Sequence, residues 1–168
     1  ADWIKSMRKV KPIQCVGEYW NRDMEALKWY IYKTNSTIPL FDVPLHYNFY
    51  EASTSFGNYD LRRIFDNTLV KECPSLSVTF VDNHDTEPGQ ALFSYIQEWF
   101  KPLAYALILL RKEGLPCIFY GDYYGIPSHN INPKKEMLEK LLEARKKYAY
   151  VEQIDYFDHN NIIAWIRK

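Results

Sequence analysis

A surplus of charge of either sign is absent from this chain of 168 residues, in which Lys and Arg number 21 and Asp and Glu number 21. Without a net field or a basic run there is nothing to gather nucleic acid or an anionic membrane, and a neutral partner fits better. Cysteine is scarce: Cys15, Cys73 and Cys117 are odd in number and lack metal-ligand spacing. Neither a disulfide framework nor a zinc site is indicated. Two of the three sit in apolar runs, as inert thiols do, which favours a reducing compartment and hence a cytoplasmic location, with secretion as the alternative. Long apolar runs are missing as well. The longest, Pro102 to Leu110, is too short to span a bilayer, and the N-terminus has no signal-peptide layout. No internal repeat or low-complexity linker is present, and Asn35-Ser36-Thr37 is a formal glycosylation sequon read as accidental.

Aromatic residues are abundant, at 17% with 14 Tyr and 5 Trp. Their flat apolar faces and polar tips suit sugars, although aromatics more commonly fill cores.

Short β-like runs alternate with helical patterns along the chain. A helix to Lys9 precedes an extended Ile13–Val16 that stops at Gly17. From Asp23 a helix places Ala26, Leu27, Tyr30 and Ile31 on one face, with an acidic first turn that suits the helix dipole. Ile38 to Val43 reads as a strand interrupted by Pro39 and closed by Pro44, and Leu61, Ile64, Phe65 and Leu69 then recur at helical spacing. Leu76 to Val81 is a strand, Trp99 to Lys112 an apolar helix ended by Gly114, and Leu115 to Tyr120 a strand broken by Gly121. Met137 to Tyr148 is amphipathic, with Leu138, Leu141 and Leu142 inward and Glu143 four residues before Lys147 outward. Val151–Phe157 and Ile162–Ile166 read as strands around an Asp158-His159-Asn160-Asn161 turn. Four strand-then-helix units followed by a hairpin predict an α/β fold with a parallel sheet, domain 1–150, and a separate β-domain beginning at 151–168.

Reactive groups in parallel α/β proteins lie where strands end and loops begin. Two such places are polar here, Gly17-Glu18-Tyr19-Trp20 and Asp82-Asn83-His84-Asp85-Thr86. A carboxylate beside aromatics is held protonated by desolvation and serves as a general acid, a role that fits Glu18. A second acid beside a His and an Asn stays ionised and stabilises an oxocarbenium-like transition state, a role that fits Asp85. Equally, Glu18 could cap a loop, and Asp82 and Asp85 could be turn acids bonded to their own backbone.

The run Thr79-Phe80-Val81-Asp82-Asn83-His84-Asp85-Thr86 resembles a signature motif of the α-amylase family of glycoside hydrolases almost letter for letter. Further matches follow in family order: Val16-Gly17-Glu18-Tyr19-Trp20, Phe41-Asp42-Val43-Pro44-Leu45-His46-Tyr47, Trp99-Phe100-Lys101-Pro102-Leu103-Ala104-Tyr105-Ala106, Ile118-Phe119-Tyr120-Gly121-Asp122 and Tyr156-Phe157-Asp158-His159. The resemblance covers essentially the whole chain and is strongest to the bacterial liquefying type and its intracellular relatives. It implies the C-terminal half of a (β/α)8 TIM barrel, with strands five to eight near residues 12–17, 38–43, 76–81 and 115–120, and the start of a C-terminal β-domain. A complete barrel typically needs about 250 residues.

By this resemblance Glu18 is the proton donor, Asp85 the non-nucleophilic acid that binds sugar hydroxyls, His84 a ligand of a sugar hydroxyl, and Trp20 an aromatic platform. Asp82, Asn83, Asp42 and His46 read as supporting residues. The family's nucleophilic Asp matches no segment of the chain, which implies a fragment that is inactive alone. The family's calcium is expected to draw its ligands mostly from outside these residues. Gly57-Asn58-Tyr59 matches a further calcium turn, but its acidic partner's position holds Asn161. The implied partner is an α-glucan or maltooligosaccharide, with self-association through exposed sheet edges. The alternatives are a non-catalytic carbohydrate-binding half-barrel and a transglycosylating or isomerising relative of the family.

Overall fold

The computed structural model describes residues 1–168. Helix α1 (Asp2–Val10) leads into an extended stretch, and α2 (Met24–Lys33) follows. Asp23 caps α2 by accepting from the Glu25 amide, and Met24, Leu27 and Ile31 form the buried face that the apolar spacing predicts. Strands β1 (Leu40–Phe41), β2 (Ser77–Phe80) and β3 (Leu115–Cys117) form a parallel sheet in that order. Gly17 joins its edge by a single parallel bridge to Leu40.

Only that bridge remains of the strand expected before Gly17. A ladder needs a partner at every second residue, and here the Arg8 guanidinium takes the Ile13 carbonyl at 3.2 Å instead. Gly17 fits because an added Cβ would stand 2.6 Å from Leu40 Cδ2.

The chain departs from the expected pattern between β1 and β2. Pro44 does not close a strand; it opens α3 (Val43–Thr54), where its missing N–H leaves nothing unsatisfied and the Asp42 carboxylate accepts from the Leu45 amide. The helical spacing of Leu61 to Leu69 yields only a 3-10 turn at Leu61–Arg63 and a short α4 (Leu69–Glu72). The Asn48 side chain donates to the Ile64 and Asp66 carbonyls at 3.0 Å each, taking acceptors that a continuous helix would use. After β3, Gly121 does not break the chain but lies buried within α6 (Tyr120–Tyr124), because the Asp122 and Tyr123 amides both turn back to the Phe119 carbonyl.

Helix α5 (Lys101–Leu110) supplies Ala104, Tyr105, Leu107, Ile108 and Leu109 to a core shared with Leu45 and Phe49 of α3, Val81, and Leu138 of α7 (Lys135–Tyr148). Leu138 is fully buried, whereas Leu142, expected inward, is 37% exposed. Strands β4 (Gln153–Tyr156) and β5 (Ala164–Arg167) pair antiparallel as a hairpin. The hairpin docks through Arg111, which donates to both Asp155 carboxylate oxygens at 2.7 and 2.9 Å, and through Phe157 stacked on Phe65.

Candidate active site

Because the strands are parallel, the segments that follow them emerge at one end of the sheet. Glu18 follows the Gly17 bridge, Asp42 follows β1, and the Asp82–Thr86 turn follows β2 after Val81. The loops bearing Glu18 and Asp85 are thus separated by β1 alone. Trp20 spans that separation. Its ring centroid lies 5.8 Å from that of His46 and 6.0 Å from that of Phe80, and its indole N–H donates to the Tyr47 hydroxyl at 3.3 Å. The half-buried Trp20 therefore plugs the sheet end on one side.

Glu18 is exposed, and its carboxylate makes no hydrogen bond or ion pair within the chain, so it does not cap a loop. The aromatic cover expected over it is not supplied by its neighbours. Tyr19 stacks on Tyr30 of α2 at 5.0 Å, and Trp20 turns in toward Phe80, because each ring gains more contact there than beside a solvated carboxylate.

The turn after β2 is held by Asn83. Its side-chain oxygen accepts from the Asp85 and Thr86 amides at 3.0 Å each. The Thr86 hydroxyl accepts from the Asn83 amide at 3.0 Å and donates to Asp82 at 2.8 Å. Asn83 rather than Asp85 thus does the capping, which leaves the Asp85 carboxylate uncommitted except for the exposed His84 ring at 3.6 Å. Asp82 is fully buried as a support, and so is His46, whose nitrogens lie 2.7 Å from the Val81 carbonyl and 2.8 Å from the Ser94 hydroxyl. Burial pushes His46 down to about 4, against the pull of the Val81 carbonyl.

Two charged residues of the site region were not singled out from the sequence. Lys101, fully buried, places its Nζ 2.8 Å from Asp82 and against Asp122. Asp122, also fully buried, accepts from the Tyr105 hydroxyl at 2.7 Å. A lysine within the apolar run Trp99-Phe100-Lys101-Pro102-Leu103-Ala104 is the available signal, since a charge on a buried face must find a partner. Burial pushes the Asp82 carboxyl up to about 7 against the pull of the Lys101 ammonium, with the nearby Asp122 charge adding to the rise.

No set of three or more His, Cys, Asp or Glu groups gathers as metal ligands. At the Gly57–Tyr59 turn the Asn58 amide donates to the Ser55 carbonyl at 3.1 Å, and the Asn160 carbonyl is occupied by the Leu61 amide at 2.7 Å. A cavity of about 240 Å³ lies between β2, α3 and α5, lined by Leu45, Phe65, Thr79 and Ile108 among others, and none of Glu18, Trp20, His84 and Asp85 reaches it.

No protein-family model matches the chain. It is 57% identical, over 99% of its length, to the α-amylase of Geobacillus stearothermophilus, of which it covers 31%. It is 54% identical to the glucan 1,4-α-maltohexaosidase of Bacillus sp. strain 707, covering 33% of that protein. It is 42% identical to the cytoplasmic α-amylase of Escherichia coli K12, covering 36% of it. The chain thus spans 31–36% of the length of these curated relatives. Among solved structures, the Geobacillus thermoleovorans α-amylase complexed with acarbose superposes with a TM-score of 0.69 at 18% identity, over 99% of this chain and 42% of that one. The γ-CGTase of alkalophilic Bacillus clarkii does so with a TM-score of 0.70 at 18% identity, over 27% of its length.

Proposed function

We propose that the chain belongs to the α-amylase family of glycoside hydrolases and that its residues form the acid/base side of a retaining site for internal α-1,4 bonds of starch, glycogen or maltodextrin. The observation that carries the proposal is the common exit of Glu18 and the Asn83–Thr86 turn at one end of a parallel sheet, with both carboxylates left free of competing backbone bonds.

Glu18 donates a proton to the glycosidic oxygen as the bond to the leaving sugar breaks. A carboxylate nucleophile about 5–5.5 Å from it attacks the anomeric carbon from the opposite face, and Glu18 then takes a proton from the water that hydrolyses the glycosyl-enzyme. Asp85 and His84 hold sugar hydroxyls, and the half-exposed ring of Trp20 contacts sugar on the leaving-group side. The nucleophilic Asp comes from polypeptide other than these 168 residues, as do most ligands of the family's calcium. In this reading the parallel strands are the fifth to eighth of an eight-stranded barrel, and residues 151–168 open a β-domain. The compartment is cytoplasmic, in keeping with the name of the Escherichia coli relative.

The test is calorimetric titration of the chain with maltoheptaose alongside a reducing-sugar assay on starch. Heat of binding is expected, and it should disappear in His84→Ala and weaken in Trp20→Ala, with no sugar released. Absence of heat would remove the sugar contacts from the proposal. Sugar release by the chain that is abolished in Glu18→Gln would overturn the need for an outside nucleophile.

A further inference from the structure

Behind the Asn83–Thr86 turn lies a cluster of buried charges that the proposed chemistry does not use. Lys101 Nζ lies 2.8 Å from Asp82 Oδ2 and contacts Asp122 Oδ1, with all three side chains fully buried. The Tyr105 hydroxyl donates to Asp122 at 2.7 Å, the Tyr95 ring lies 3.6 Å from Lys101 Nζ, and Lys134 Nζ stands 3.5 Å from Asp122. Lys134 Nζ also lies 3.0 Å from Glu98 Oε2, so two ammonium groups face three carboxylates.

A buried ion pair is a weak source of stability, because desolvation offsets most of the attraction and apolar side chains of similar volume do as well. What charges supply in such a place, and methyl groups do not, is direction. Asp82 joins β2 to the turn, and its carboxylate accepts from the Thr86 hydroxyl at 2.8 Å and from the Ile96 amide at 3.3 Å. The same Thr86 hydroxyl receives the Asn83 amide at 3.0 Å. The Thr86 end of the turn that carries His84 and Asp85 therefore hangs on Asp82 Oδ1, while Lys101 lies against the other oxygen of the same carboxylate.

We propose that Lys101, itself oriented by Asp122, is a positioning residue that sets the place of His84 and Asp85 through Asp82 and Thr86. That His84 and Asp85 meet a sugar rests on the proposed function; that Lys101 positions them does not.

The experiment measures amide hydrogen exchange at Asn83, Asp85 and Thr86 in the full 168-residue chain by NMR, together with maltoheptaose titration. In Lys101→Met these three amides should exchange at least tenfold faster, while Leu27 and Ile31 of the remote α2 stay unchanged. Lys101→Met with Asp82→Asn removes one charge of each sign, so this double variant should regain thermal stability yet keep the fast exchange. It also carries the test where the single variant does not fold. Unchanged exchange in the single variant, or recovery of slow exchange along with stability in the double variant, would reduce Lys101 to charge balance and overturn the proposal. Heat of binding in the wild type that falls at least tenfold in affinity in the double variant supports positioning and sugar contact together. A wild type without heat defeats the sugar reading alone and leaves the exchange rates to judge positioning.

Discussion

At the scale of single residues, His46 shows how burial selects a protonation state. Its ring stacks on Phe80 at 5.2 Å and is held neutral, with its pKa pushed down to about 4. An unfolded chain takes up a proton at this residue below about pH 6.5, and the folded chain resists until about pH 4. The stability that His46 contributes is therefore present above pH 6.5 and lost as pH falls through 4, a loss of about 3 kcal/mol in total. Asp82 works in the opposite sense. Its folded value near 7 lies above the ordinary 3.8, so its contribution is present below 3.8 and lost as pH rises through 7. The two oppose one another between pH 4 and 6.5, which makes the difference between wild type and His46→Phe the informative quantity. Urea unfolding should show that difference shrinking by about 3 kcal/mol from pH 7.5 to pH 4; a difference constant with pH would mean that the ring titrates normally.

At the scale of elements, one carboxylate organises the chain between β1 and β2. Asp42, fully buried, accepts from the Leu45 amide of α3 at 3.1 Å, the Leu69 and Val70 amides of α4 at 3.1 and 2.6 Å, and the Ser77 hydroxyl of β2 at 3.1 Å. Burial pushes its pKa up, and the backbone amides pull it back toward the charged form. Asp42→Ala would leave α3 uncapped and the buried Leu45, Leu69 and Val70 amides without partners, at a cost of about 3–5 kcal/mol. A fall in the urea midpoint with an unchanged slope is the expected result, and a loss under about 1 kcal/mol would refute this account. Pattern alone missed α3 because Pro44 ends a strand and opens a helix with equal ease. What decided between them was the cap made by Asp42 and the burial of Leu45 and Phe49, both fully covered by later parts of the chain.

At the scale of the molecule, the sheet ends at the Gly17 bridge on one side and at β3 on the other, where no further strand pairs. Unpaired edges with large apolar groups in the open, such as Trp3 at 70% and Trp29 at 57% exposure, favour association. Sedimentation velocity of the 168-residue chain should therefore show a coefficient that rises with concentration in the micromolar range. A single compact monomer at every concentration would show that the edges need no cover.

Sequence by itself determined the local chemistry: the buried strand around Thr79, the capped α2, the apolar α5, the hairpin, and the placing of His84 and Asp85 just past a strand end. These follow from side-chain periodicity and turn-forming residues, which act over a few positions. Only the tertiary structure decided that Asn83 rather than an acid caps the turn after β2, which way Tyr19 and Trp20 face, and that Lys101 finds Asp122, 21 residues away. A buried charge or hydrogen-bonding group must be matched wherever packing brings a partner, and that distance in sequence leaves no trace in spacing or composition.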